Sequence, residues 1–221
     1  RLKFDYKFLL IILKQSYPFS LLVLLMSLYT RIDIVMIERI LPDGAVQAGI
    51  YVQAFRLLDA VSMFGLLFAN LLVPIFSRML KIKEPVHQLA QLSFFLIIIP
   101  ALIFSMISIF YGDEIMKLLY HNHYEESAQI YKILILGFNA YCTTYIFGTL
   151  LTAGNKLKAL NIMALAGLLI NLTLNFILIP RFGAIGAAYS SLTTQFITAF
   201  AQLLIAVKVF HFNLNIRKIS L

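Results

Sequence analysis

The sequence predicts an all-α, polytopic membrane protein of six transmembrane helices. Three observations lead there. Hydrophobic residues make up 61% of the 221 residues and charged residues only 13%, with a mean hydropathy of +0.90; about a quarter of a soluble domain is charged. Apolar runs near the ~20 residues that cross a bilayer recur along the whole chain. The lysines and arginines between those runs fall on alternate connections, as membrane topology requires. The net charge of +8 is therefore a topology signal, and no nucleic-acid partner is expected.

Residues 1–16 carry Arg1, Lys3, Lys7 and Lys14 around the short apolar core Phe8–Leu13. They read as a cytoplasmic, interfacial amphipathic segment lying in the membrane plane, with Pro18 separating it from the first span. The alternative is an extension of that span. A six-helix transmembrane lobe over 17–210 comes next, with spans at about 17–40, 45–77, 86–110, 127–151, 157–179 and 184–210. Pro100 is expected to kink the third. Tyr111–Glu126 is a polar, acidic connection. Gly154-Asn155-Lys156 and Pro180-Arg181-Phe182-Gly183 are turn signals. Residues 211–221 form a basic cytoplasmic tail.

Orientation follows from the connections. One side collects Arg1, Lys3, Lys7, Lys14, Arg78, Lys81, Lys83, Lys156, Lys158, Lys208, Arg217 and Lys218. The other collects Arg39, Lys117 and Arg181. Both ends are expected on the cytoplasmic side. The chain opens at Arg1, without methionine or a signal-peptide pattern, and is expected to be an excised part of a longer protein.

Four charges interrupt the first two spans: Arg31 and Asp33, then Arg56 and Asp59. At mid-membrane each costs about 2.5–3.5 kcal/mol on insertion scales, so such groups face a polar interior, a partner or a water path. A turn at Leu41-Pro42-Asp43-Gly44 brings all four to similar depth. Asp33 lies two residues beyond Arg31 and points nearly the other way, so the two cannot face one neighbour. Three pairings stay open: Asp33 with Arg56 while Arg31 faces a cavity, the opposite assignment, or Arg56 with Asp59 in one helix.

Helical spacing also groups the neutral polar residues. Gln53, Arg56, Asp59, Asn70 and Ser77 share a face of the second span. Asn161, Asn171 and Asn175 share one of the fifth, and Ser191, Gln195, Thr198 and Gln202 one of the sixth. Gln53, Asn70, Asn171, Asn175, Gln195 and Gln202 are the candidate cavity-lining residues, although amides within spans more often join helices than bind ligands. The middle of the third span is almost free of polar residues and is expected to face lipid. The pairs Gly183/Ala187 and Gly186/Ser190 predict close helix packing. Tyr120 and Tyr124 are expected at the outer interface. The sequon Asn171-Leu172-Thr173 lies mid-span and is discounted. His121 and His123 beside Glu125 lack further ligands at metal-site spacing, Cys142 is single, and there is no nucleophile–base pair or phosphate loop. No enzyme activity, catalytic residue, metal or cofactor is expected.

Several phrases together resemble one family. They are Arg31-Ile32-Asp33; Gly49-Ile50-Tyr51 with Ala54-Phe55-Arg56-Leu57; Pro74-Ile75-Phe76-Ser77-Arg78; Gly154-Asn155-Lys156; Asn171-Leu172 with Asn175; and Ile179-Pro180-Arg181-Phe182-Gly183-Ala184-Ile185-Gly186-Ala187-Ala188. Their order is similar to the C-terminal half of polysaccharide biosynthesis flippases of the multidrug/oligosaccharidyl-lipid/polysaccharide (MOP) exporter superfamily. The resemblance implies one lobe of a two-lobe, alternating-access transporter in a bacterial or archaeal cytoplasmic membrane. Its partners would be membrane lipids and the N-terminal lobe of the same transporter, which this chain lacks. Its substrate would be a polyprenyl-diphosphate-linked oligosaccharide of the O-antigen type, moved to the outer leaflet during surface polysaccharide synthesis. Arg31 and Arg56 then suit the diphosphate, because a guanidinium binds two oxygens at once. Asp33, Asp59 and Glu38 either balance them or carry a coupling proton or sodium ion. The competing readings are a drug/cation antiporter of the same superfamily and a non-transporting scaffold subunit.

Overall fold

The computed structural model describes residues 6–210 and residue 212. Among these the regular structure is entirely helical: α1 (Tyr6–Ile40), α2 (Gly44–Lys81), α3 (His87–Phe110), α4 (Gly112–Leu119), α5 (Tyr124–Ala153) and α6 (Leu157–Phe210). All but α4 are long and apolar enough to cross a membrane.

α1 runs through Pro18 without interruption, so the break expected there is absent. Proline deprives the carbonyl four residues back of its donor and bends a helix more readily than it ends one. A side-chain bond steadies this point: Asn161 Nδ2 donates to the Pro18 carbonyl at 2.8 Å. Residues 6–16 thus continue the first helix, which was the alternative reading. The remainder of the basic N-terminal segment, residues 1–5, and the tail apart from Phe212 lie outside the described residues.

Pro42 ends α1 because it has no N–H to offer. The Gly44 N–H returns to the Leu41 carbonyl at 3.1 Å, and the Val46 and Gln47 N–H groups take the Asp43 carbonyl, starting α2. Gly44 is required by space, since a Cβ there would overlap the Glu38 backbone.

As a straight rod, the 54 residues of α6 would reach about 80 Å. The helix is instead broken at Gly183, whose φ of 61° and ψ of −142° lie outside helical space. Ser190 Oγ donates to the Asn171 carbonyl nineteen residues back, at 3.1 Å. Gly186 sits so close to Leu178 that a Cβ would overlap its backbone. α6 is therefore two antiparallel limbs, residues 157–182 and 184–210. They correspond to the two apolar runs that the sequence separates, and the packing at Gly186 and Ser190 is the close approach their small residues predict.

α5 is the central helix. Its most apolar window is 56% buried inside the bundle, against 22–28% for the other long helices, and α2, α3, α4 and α6 all pack on it. The polar, acidic stretch 111–126 contains an eight-residue helix, α4, with Met116 fully buried and Asp113 paired to Lys132 of α5 at 2.6 Å. α3 sets small residues (Ala90, Ser93, Ala101, Ser105, Ser108) inward and leaves Leu96, Ile99, Ile103 and Ile107 exposed. An apolar exterior over a seam of small residues is the arrangement a lipid solvent stabilises.

Candidate functional site

The two-residue offset between Arg31 and Asp33 separates them as the helical geometry predicts. Asp33 is fully buried. Its Oδ2 accepts from the Tyr51 hydroxyl at 2.8 Å and from the Ser191 hydroxyl, and its Oδ1 accepts from Asn175 Nδ2 at 2.7 Å. Asn175 Nδ2 also reaches Asn171 Oδ1 at 3.0 Å. One carboxylate thereby ties together α1, α2 and both limbs of α6. Three neutral donors surround it, and it has no ion pair among the described residues. Asn175 Oδ1 and Asn171 Nδ2 beside it are buried and unpartnered.

Arg31 turns outward. One guanidinium nitrogen lies 2.7 Å from Asp59 Oδ2, with the two side chains 56% and 42% exposed. The guanidinium also sits 5.0 Å over the Phe55 ring, a cation–π contact. Phe55 in turn stacks on Tyr51 with ring centroids 6.0 Å apart. A continuous set of contacts, Asp33–Tyr51–Phe55–Arg31–Asp59, joins the buried carboxylate to the outward ion pair. Arg56 is exposed, one turn from Asp59, and has no ion pair among the described residues.

The pairing is thus Arg31 with Asp59. Neither Asp33–Arg56 nor Arg56–Asp59 forms, because Asp33 faces the core while Arg56 faces outward. Glu38 is exposed near the α1–α2 turn and bonds to neither cluster.

The six cavity-lining candidates divide. Gln195 and Gln202 line a cavity of about 410 Å³ between α1, α2, α5 and α6, and Gln195 Nε2 donates to the Tyr141 hydroxyl at 3.2 Å. Gly137 and Gly148 of α5 leave room for these two amides. Asn171 and Asn175 belong to the Asp33 cluster instead. Gln53 accepts the Tyr120 hydroxyl on its backbone carbonyl at 3.4 Å, and its side-chain Oε1 is buried without a partner among the described residues. Asn70 lies exposed on α2. Helical spacing gives a face but not what that face meets. Tyr51 was missed as a site residue because its ring reads as apolar filling. Ser191 was grouped on a polar face without a partner; its signal was its helical spacing from Gln195.

No protein-family model and no curated protein matches this chain. Among solved structures the chain is similar to a MOP superfamily transporter from Pyrococcus furiosus Vc1 (DSM3638), a protein described as having a binding pocket of reverse polarity that suggests a different function. The TM-score is 0.72 at 19% identity, and the match covers 88% of this chain and 43% of that one. At this identity the likeness establishes the fold alone: this chain shares its helical fold with part of that transporter and spans less than half of that protein's length.

Proposed function

We propose that this chain is the C-terminal lobe of a transporter that flips a polyprenyl-diphosphate-linked oligosaccharide from the inner to the outer leaflet. In this reading α1, α2, α3, α5 and the two limbs of α6 make six crossings of a bacterial or archaeal cytoplasmic membrane, with both ends cytoplasmic. The observation that carries it is the outward surface of α1 and α2. Two arginines stand there inside apolar helices, turned away from their own bundle, with Asp59 to balance only one. A surplus positive charge at that depth suits an anionic group, and a diphosphate suits guanidinium best. The same surplus disfavours the drug/cation antiporter, whose substrate would be repelled. A scaffold needs no unpaired arginine on an outer face.

Asp33 serves as the coupling site. A buried carboxylate with three neutral donors, no basic partner and an orphan amide oxygen beside it suits a proton or a sodium ion. Its occupancy reaches Arg31 through Tyr51 and Phe55, so ion release and diphosphate release are linked. The test is leaflet translocation of a defined lipid-linked oligosaccharide by the complete transporter. Arg56→Ala should abolish translocation at unchanged protein level, and Arg56→Lys should retain part of it, keeping the charge but losing the two-pronged geometry. Full activity in Arg56→Ala would overturn the assignment.

A further inference from the structure

The surroundings of Asp33 differ on its two sides along the bundle. Asp33, Tyr51, Asn175 and Ser191 each stand about two turns from the end where α1 turns into α2 and the two limbs of α6 meet. One turn nearer that end, each helix supplies an apolar residue: Ile37, Ala48, Ile179 and Ala187. Ile37, Ile179 and Ala187 have no exposure, and none of the four side chains offers water a hydrogen bond. One turn the other way the chemistry reverses. Tyr29 stands four residues before Asp33, Gly167 four before Asn171, and Gln195 four after Ser191. All three line the cavity of about 410 Å³. Residues four apart share a helix face, so this cavity adjoins the Asp33 cluster along three helical segments at once.

The lining grades inward. Val23 and Leu66 are about half exposed and Ser27 is exposed, which puts the mouth on the α1–α2 surface. Tyr29, Gln195 and Gln202 are buried. Gln195 Oε1 and Gln202 Oε1 have no hydrogen-bond partner among the described residues, and neither do Asn171 Nδ2 and Asn175 Oδ1 beside Asp33. Unpartnered buried amides on both sides of one junction mark it as a place for water, and the cavity has ample room for several molecules. None of its described lining residues is charged. The titratable groups turned to the junction are the phenols of Tyr29 on α1, Tyr51 on α2 and Tyr141 on α5, which stay neutral at physiological pH; both limbs of α6 bring neutral amides and hydroxyls. We infer that the cavity is a water-filled vestibule through which Asp33 exchanges its proton, open to the α1–α2 surface and closed toward the α1–α2 turn. A vestibule water gives its proton to the carboxylate and is reprotonated from the mouth. The Gln195–Tyr141 bond, 3.2 Å long, stands at the neck. The inference rests on the proposed function for what Asp33 couples to; how Asp33 is reached is argued from the layers around it.

Two measurements on the complete transporter in nanodiscs test this. In a Cys142→Ser background, single cysteines replace Thr198 and Gln202 in the cavity and Ile179 and Ala187 in the apolar layer. A small cationic methanethiosulfonate, which reacts with the hydrated thiolate, should modify the first two and spare the second two. Unreactive thiols at both cavity positions, as a lipid tail filling the space would give, would overturn the inference. So would equal reaction at Ile179 and Ala187. The second measurement follows the infrared carboxyl band that Asp33→Asn removes, after a drop in pH. Ala164→Phe, which fills the cavity, should slow its appearance about tenfold. Gln195→Leu keeps the volume and removes a hydrogen-bonding partner for water, so it should slow it too. An unchanged rate in both variants would overturn the inference. Slowed protonation with translocation indifferent to Asp33→Asn would keep the inference and remove the coupling role proposed for Asp33. Translocation that needs Asp33, with a protonation rate indifferent to both cavity variants, would do the reverse.

Discussion

Asp33 and Asp59 are two carboxylates in neighbouring helices, and the bundle treats them in opposite ways. Asp33 has no exposure and three neutral hydrogen-bond donors. Asp59 has a full cation at 2.7 Å and remains 42% exposed. Formal charge would suggest that Asp59 is the better anchored of the two. Environment says otherwise. A partly exposed ion pair gains little over its solvated state, whereas a buried carboxylate organises every donor aimed at it, and each donor is expensive to orphan. Asp33 therefore holds the lobe together, and Arg31–Asp59 is free to respond to what lies outside it.

Truncating each acid gives the largest test of that contrast. Asp33→Ala strands the Tyr51 and Ser191 hydroxyls and the Asn175 amide, so it should lower stability by at least about 3 kcal/mol, since each of the three buried donors costs about 1–3 kcal/mol when orphaned. Protein level should fall with it. Asp59→Ala should cost about 0–1 kcal/mol and leave abundance intact. Unfolding midpoints in one detergent measure both, and equal losses would break the comparison.

The α6 hairpin sharpens the same idea at the level of the backbone. Gly183 holds a positive φ of 61° with ψ near −142°, a region essentially reserved for glycine. A Cβ there would meet Gln47 Oε1 at 3.5 Å and Leu41 Cδ1 at 4.0 Å, both ordinary contacts. Gly183→Ala thus isolates backbone strain from crowding and should cost about 1–3 kcal/mol. Because the two limbs each supply a donor to Asp33, it should also loosen that cluster, so Gly183→Ala and Asp33→Ala should combine to less than the sum of their separate losses. Strict additivity would show that the hairpin and the carboxylate act independently.

The same physics divides the legible features from the hidden ones. Apolar runs and loop charges made the long helices legible, because both are set by the bilayer. The two-residue offset predicted that Arg31 and Asp33 would part, since helical geometry is local. Which acid met which base was not legible: Asp59 and Arg56 lie three residues apart on one face of α2, and only the tilt of α1 against α2 selects between them. Tyr51 was hidden for a related reason, because a tyrosine in an apolar run gives no sign of where its hydroxyl goes. The short α4 is not legible because its charges mask the one large buried side chain, Met116, beside the buried Gly112. Pro18 misled because a tertiary bond from Asn161, 143 residues away, lies beyond any local rule.

The smallest expected effect repeats the two-residue offset without charge. On α3, Ile103 is 56% exposed and Ser105 1%. Ser105 Oγ donates to the Ile135 carbonyl at 3.1 Å and accepts from Asn139 Nδ2 at 3.1 Å, so it joins α3 to the central α5 by two bonds. In an apolar solvent such bonds contribute modestly, since the separated helices also find partners; about 0.6 kcal/mol is typical. Ser105→Ala should therefore cost about 1 kcal/mol. Ile103→Val removes one methylene from a side chain that touches little of the bundle, so both stability and translocation should match the parent. A loss of translocation in Ile103→Val at normal protein level would mean that this face of α3 meets substrate or a second lobe rather than lipid. The division between a holding interior and a responding α1–α2 surface would then have to be redrawn around α3.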